Sequence, residues 1–122
     1  MTESKTIKIN EVEYVRKDAI QPMAETLKGM RYVICRTYSA GVFAGYLESR
    51  NGQEVVMRHV RRIWYWSGAA SLSQLAMSGT SDPGNCKFPE PVERDELLQA
   101  IEILDCTETA RKSIQGVPIW KK

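Results

Sequence analysis

The pair Asn51-Gly52 constrains the fold more than any other feature of this chain. It sits between Val42–Leu47 (VFAGYL) and Glu54–Val60 (EVVMRHV), two segments rich in β-branched and aromatic residues. Asn and Gly are the residues that take positive φ at least cost, so the pair predicts a two-residue type I′ turn joining two antiparallel strands. Arg31–Arg36 (RYVICR) has the same strand-forming character and precedes the hairpin, with Ser39-Ala40-Gly41 as the interruption. Ile63–Trp66 continues or restarts the returning strand.

The remaining segments predict strands and short helices. Thr6–Ile9 and Val12–Val15 alternate in strand fashion, and Lys17–Gly29, broken by Pro22 and Gly29, reads as a loop with one helical turn. Ser71 with Gln74 three residues on is a capping box, in which each side chain satisfies an orphan donor at a helix start. Leu72, Leu75 and Ala76 share a face of that helix, and Gly79 ends it. Ser81–Pro91 carries Pro83, Pro89 and Pro91 and reads as a loop. Val92–Asp105 fits a helix through Leu97, Leu98, Ile101 and Leu104, yet its second half, AIEIL, also fits a strand, and strand is the reading adopted there. Thr107 caps a last helix from Glu108 to Gln115, stopped by Gly116. The expected architecture is α+β: a mostly antiparallel sheet of four to six strands with two short helices. Residues 1–30 supply strands and loop, and residues 31–122 the core, all within a single domain.

Composition excludes several classes. At 122 residues the chain fits one domain and can bury a core without a metal or disulfide staple. Cys35, Cys86 and Cys106 are odd in number and widely spaced, so no disulfide framework is implied. His59 is the only histidine, no CxxC pattern exists, and no metal site is expected. No apolar run approaches the roughly 20 residues of a membrane span, and Met1–Asn10 lacks the apolar centre of a signal peptide. The expected location is the cytosol, with no cofactor. Net charge is +2, too weak for general coating of DNA. The charges are nonetheless segregated. Residues 50–62 hold four arginines against Glu54, and residues 90–108 hold seven acids against Arg94. Such blocks either solvate separately or attract between copies.

Catalytic machinery is hard to assemble from these residues. A nucleophile needs a base, and His59 lies in a predicted strand between Arg58 and Val60. GxSxG, P-loop and GxGxxG patterns are absent. The informative stretch is Arg58–Gln74 (RHVRRIWYWSGAASLSQ). Arg61 and Arg62 precede Trp64-Tyr65-Trp66, and the turn Ser67-Gly68 leads to a helix start. Guanidinium forks match phosphate oxygens. Indole faces stack on a base for roughly 1–3 kcal/mol each, and helix N-termini attract anions. In a strand, Trp64 and Trp66 point to one face and Tyr65 to the other. Pattern alone favours core packing of both tryptophans. Arg36, Tyr38 and Ser39 form a second candidate at a small-residue turn, against the plainer reading of a strand interruption. Phe88 either plugs the core or covers a ligand. Arg111 faces solvent on the last helix or reaches a site across a symmetric interface.

The segments RTYSAGVFAGYLESRNG, RRIWYWSGAASLSQLA and CTETARKSIQGVPIW together resemble the bacteriophage anti-Thoeris sponge family, the first Thoeris anti-defence family described. The similarity runs from about Arg31 to Trp120 and is weakest over the first thirty residues. The resemblance implies a protein that sequesters cyclic ADP-ribose isomers made by TIR-domain enzymes without cleaving them. It also implies a homodimer or larger ring, a pocket shared between partners, and in some members a separate site for cyclic oligonucleotides. It places pocket residues in Arg36–Ser39 and Trp64–Gly68. Arg61, Arg62, Phe88 and Arg111 are added on physical grounds. The competing expectations are an enzyme that opens a cyclic nucleotide, with a glutamate or His59 as base, and an accessory module whose tryptophans face a protein or nucleic acid.

Overall fold

The structure, a computed structural model, describes residues 21–122. The strands expected at Thr6–Ile9 and Val12–Val15 lie outside these residues. Five strands form one antiparallel sheet: β1 (Arg31–Thr37), β2 (Val42–Asn51), β3 (Glu54–Arg62), β4 (Val92–Leu97) and β5 (Ala100–Asp105), in the order β4-β3-β2-β1-β5. Helix α1 (Leu72–Ser78) follows β3 and helix α2 (Glu108–Gly116) follows β5. The α+β class, the antiparallel sheet and the two short helices are those expected from the sequence.

The sheet must curl. Strands β4 and β5 are its two edges, yet only Leu98 and Gln99 separate them in the chain. Three steps of about 3.8 Å carry the backbone at most ~11 Å, whereas the edges of a flat five-stranded sheet lie about 19 Å apart. The 99–100 link also bonds in two directions. Tyr38 N donates to Gln99 O and Ala100 N donates to Gln53 O, both at 2.9 Å, so the two ends of β2 approach the same peptide. Two bulges supply the bending. One sets His59 and Val60 of β3 against Gly45 of β2, with His59 in the left-handed region at φ 48°. There Gly45 is obligatory, because a Cβ would lie 2.8 Å from Val60 Cα. The other inserts Glu48 into β2 between Leu47 and Ser49.

A curled sheet has two buried faces, which is why RYVICR reads as a continuous apolar run. Val33, Cys35, Phe43, Val55, Met57, Val60 and Leu97 fill the concave inside. Tyr32, Ile34, Tyr46, Leu75, Phe88 and Ile114 form a second core between the outer face and the helices. Thr107 joins the helices: its hydroxyl accepts from Ala110 N at 3.1 Å and donates to Met77 O at 2.7 Å. Ser71 caps α1, accepting from Gln74 N at 3.1 Å, but the returning bond from Gln74 goes to Ala70 N rather than to Ser71.

Four local expectations need correction. At the β2–β3 turn Asn51 pairs with Glu54, so Gly52 and Gln53 are the central residues and only Gly52 has positive φ. That is the type II′ pattern, with glycine first. Both positive-φ residues of a type I′ turn occur instead at Lys28-Gly29, between Leu27 and Met30. The described part of 17–29 holds this turn and no helical one. Ile63–Trp66 leaves the sheet after one further bond, Ile63 N to Val42 O at 2.7 Å, and Tyr65 then bridges Lys87. Val92–Leu97 is a strand rather than a helix, because pairing with β3 outweighs its helical spacing.

Several charges of the sheet pair within the chain, though not between the basic stretch 50–62 and the acidic stretch 90–108 among the described residues. Arg31 pairs with Asp105, and Arg36 Nε donates to Glu102 Oε1 at 3.1 Å across β1 and β5. Arg58 pairs with Glu48 at 2.6 Å.

Candidate functional site

Two clefts open along the rim of the curled sheet, and they share Phe43, Arg62 and Asp95. Their volumes are about 320 and 420 Å³, within the range of small-molecule pockets. The first is flanked by Trp64, Pro89 and Glu90, the second by Ser39, Leu98 and Gln99. Strand register explains the convergence. Phe43 faces Arg62 across β2 and β3, and the guanidinium carbon of Arg62 lies 4.8 Å from the ring centroid. Phe43 is buried and forms the floor, while Arg62 is exposed above it. Among the described residues Arg62 makes no ion pair and no side-chain hydrogen bond. Trp64 is 64% exposed because the chain has left the sheet there and only its backbone is anchored, through Trp64 N to Lys87 O at 3.1 Å. Tyr38, 77% exposed, sits beside Ser39, whose hydroxyl donates to Gln99 Oε1 at 2.7 Å.

The structure thus brings Ser39, Arg62 and Trp64 to one rim, with Tyr38 adjacent. The arrangement offers a stacking indole, an unspent guanidinium over an aromatic floor, and a carboxylate opposite. Sequence reasoning missed Phe43 and Asp95. Asp95 shares the concave face of Leu97, two residues on, only because the segment is a strand, which its composition does not announce.

The other expected residues go elsewhere, each for a local reason. Arg61 points to the opposite face of β3 and is 4% exposed. Its guanidinium donates to Val117 O at 2.7 Å, Phe88 O at 2.8 Å and Ile114 O at 3.1 Å, clamping the end of α2 to the preceding loop. Burial pushes this guanidinium down from its usual range, and the neighbouring Tyr32 pushes it up. A phosphate contact at Arg61 is excluded by this packing. Phe88 is fully buried in the helix-side core, so it plugs rather than covers. Trp66 is half-buried against the same core and donates Nε1 to Ala69 O at 3.2 Å, so core packing holds for Trp66 and not for Trp64.

Ser67 and Gly68 serve loop packing. Ser67 Oγ donates to Asp82 Oδ2 at 3.0 Å, and Gly68 O accepts from Ser81 N at 3.1 Å. Gly68 has φ 84°, and a Cβ there would lie 2.5 Å from Asp82 N. The close approach needed at this glycine is to the 80–82 backbone rather than to a phosphate. Arg36 is engaged with Glu102. Arg111 is engaged with Glu108 and with Gln115 Oε1 at 2.8 Å. These Arg111 bonds and the Glu25 N–H hold the Glu108 carboxyl down at about 2.

His59 lines a different cleft of about 630 Å³ with Lys28, Glu48 and Arg58. A wider one of about 810 Å³ beside β5 contains none of the expected residues. Among the described residues no cluster of His, Cys, Asp or Glu has metal-binding geometry, and no helix is long and apolar enough to cross a membrane. Cys35, Cys86 and Cys106 are buried and unpaired. Burial raises the Cys35 thiol to about 11 and, with Asp105 adding to it, the Cys106 thiol to about 12.

No curated protein and no solved structure matches this chain. The model of the family described as a domain of unknown function, DUF6948, matches residues 30–114, a span that holds all five strands and α1. That match covers well over half of the chain, which therefore belongs to the DUF6948 family.

Proposed function

We propose that this protein binds a cyclic ADP-ribose-type signalling nucleotide, of the kind made by TIR-domain enzymes, and holds it without cleaving it. On this reading it is a phage anti-defence sponge acting in the host cytosol, where it starves the Thoeris effector of its signal. The observation that carries the reading is the pairing of an exposed indole, Trp64, with the unengaged guanidinium of Arg62 along one cleft floored by Phe43. A purine stacks on the indole, and the diphosphate takes the guanidinium fork. Ser39 lines the adjoining cleft, and Tyr38 precedes it in the chain. Sequestration suits the residue set. The cleft side chains stack, donate and accept, His59 faces another cleft, and Cys35, Cys86 and Cys106 are buried. A second copy, in a homodimer or larger ring, closes over the exposed faces of Trp64 and Tyr38.

Calorimetry with cyclic ADP-ribose isomers, followed by heating the complex and chromatography of the released ligand, tests this. Saturable binding with intact ligand recovered is the expected result. A hydrolysed product transfers the site to an enzyme, and an absence of binding removes the proposal.

A further inference from the structure

We propose that Asp95 is the sugar-recognising residue of this site, accepting hydrogen bonds from ribose hydroxyls and so selecting ribose over deoxyribose. The inference rests on the nucleotide reading above and adds a specificity determinant to it.

Three observations carry it. First, Asp95 borders both clefts, as Arg62 does. It lies on β4 opposite Met57, in phase with Leu97, which is buried in the concave core. Its side chain therefore projects from the concave side of the sheet, and the residue is half-buried. Second, Asp95 and Arg62 flank one space without joining. No ion pair links them within 4.0 Å, and among the described residues Asp95 makes no side-chain hydrogen bond. The register places Asp95 opposite Met57, five residues before Arg62 on β3, so the two charges are separated along the strands. A cation and an anion held apart across a cleft fit a ligand with an acceptor-rich end and a donor-rich end. Third, the neighbouring acid Glu96 is spent on Arg94 at 2.6 Å, which leaves Asp95 as the one carboxylate common to both clefts. An ionised carboxylate only accepts hydrogen bonds, and a sugar diol is the donor pair on a nucleotide that matches it. The diphosphate is thus assigned to the Arg62 end and a ribose to the Asp95 end.

The test titrates wild type, Asp95→Ala and Asp95→Asn with cyclic ADP-ribose and with its two 2′-deoxy analogues, one for each ribose. A site that hydrogen-bonds a hydroxyl discriminates against the ligand lacking it, because its own acceptor is left unpaired. Asp95 is half-exposed and regains water, so the expected discrimination is about 10- to 100-fold rather than the larger factors of enclosed sites. Wild type should disfavour at least one deoxy analogue by that factor. Asp95→Ala should bring the ratio to about 2-fold or less, and Asp95→Asn should reduce it. The alanine variant is checked by its melting temperature, and the isosteric asparagine variant provides the reading should alanine disturb β4. Equal binding of all three ligands by wild type overturns the assignment while leaving the nucleotide site standing. So does a deoxy penalty unchanged in both variants. Failure of wild type to bind cyclic ADP-ribose removes the site and this assignment together.

Discussion

Arg61 and Arg62 are adjacent in sequence and opposite in consequence, and substituting each by methionine separates fold from site. Arg61 donates to three carbonyls, Val117 O, Phe88 O and Ile114 O, at 2.7 to 3.1 Å. In Arg61→Met, Val117 O loses its donor, whereas Phe88 O keeps Trp120 N at 3.0 Å and Ile114 O keeps Val117 N at 3.3 Å. A buried acceptor left unpaired costs about 1–3 kcal/mol, and each of the other two carbonyls loses a bond worth about 1 kcal/mol, which places the three together at about 3–5 kcal/mol. Removing a buried guanidinium also relieves its desolvation, for which ~1 kcal/mol is a fair offset given the carbonyl dipoles around it. The net expectation is a loss of about 3 kcal/mol, a large share of the 5–15 kcal/mol typical of a domain. That corresponds to a fall of roughly 10 °C or more in melting temperature. Arg62→Met removes only an exposed guanidinium over Phe43, a contact worth about 0.5–1 kcal/mol. Urea unfolding followed by tryptophan fluorescence measures both. An Arg61→Met variant within 1 kcal/mol of wild type, or an Arg62→Met variant as unstable as Arg61→Met, would falsify the division of roles. Nucleotide binding should show the reverse order, lost in Arg62→Met and retained in folded Arg61→Met.

Further expectations concern single residues. Trp64→Ala should weaken cyclic ADP-ribose binding by at least 10-fold and leave the urea midpoint nearly unchanged. Trp66→Ala should lower the midpoint by about 2–4 kcal/mol of stability, as large-to-small changes at a packed aromatic do. Gly68→Ala should destabilise by about 2 kcal/mol or more, because its Cβ meets the Asp82 backbone at positive φ; thermal unfolding within 1 °C of wild type contradicts this. Glu108 is held at about 2 in the folded protein, against an ordinary value near 4.5. A depressed carboxyl adds stability above its unfolded value and loses it as pH falls. The melting temperature of wild type should therefore drop between about pH 5 and 2 more steeply than that of Glu108→Gln, and parallel curves refute the assignment. Cys35, Cys86 and Cys106 should resist a thiol reagent at pH 7 until the protein is unfolded, and rapid labelling of native protein contradicts their burial.

What the sequence made legible follows from how local each signal is. Strands β1, β2 and β3 and both helix caps are encoded within a few residues, through β-branched runs, a glycine turn and Ser71 and Thr107. The exact turn type at Gly52 was not legible, because it depends on which two residues the strand register leaves unpaired. Strand β4 was hidden for a similar reason: VERDEL has few strand formers and is a strand because β3 offers it an edge. The site was legible in part. Trp64 and Arg62 were named from the sequence, but their partners Phe43 and Asp95 arrive through register and curl. Alternation along β3 decides which of two neighbouring arginines faces the helices, and the bulge at His59 shifts that alternation, so sequence alone does not separate Arg61 from Arg62. The neighbours of Gly68 and Phe88, the 80–82 turn and the helix-side core, are contacts distant in sequence that no local pattern announces.

The central claim is that the rim around Trp64 and Arg62 is where a cyclic dinucleotide-sized ligand is held. A crystal structure of the protein soaked with cyclic ADP-ribose, solved with its full assembly, addresses it most directly. The account predicts the adenine ring against the Trp64 indole, diphosphate oxygens on the Arg62 guanidinium, and an unbroken ligand. Ligand bound elsewhere, with the Trp64 rim unchanged and open to solvent, contradicts it.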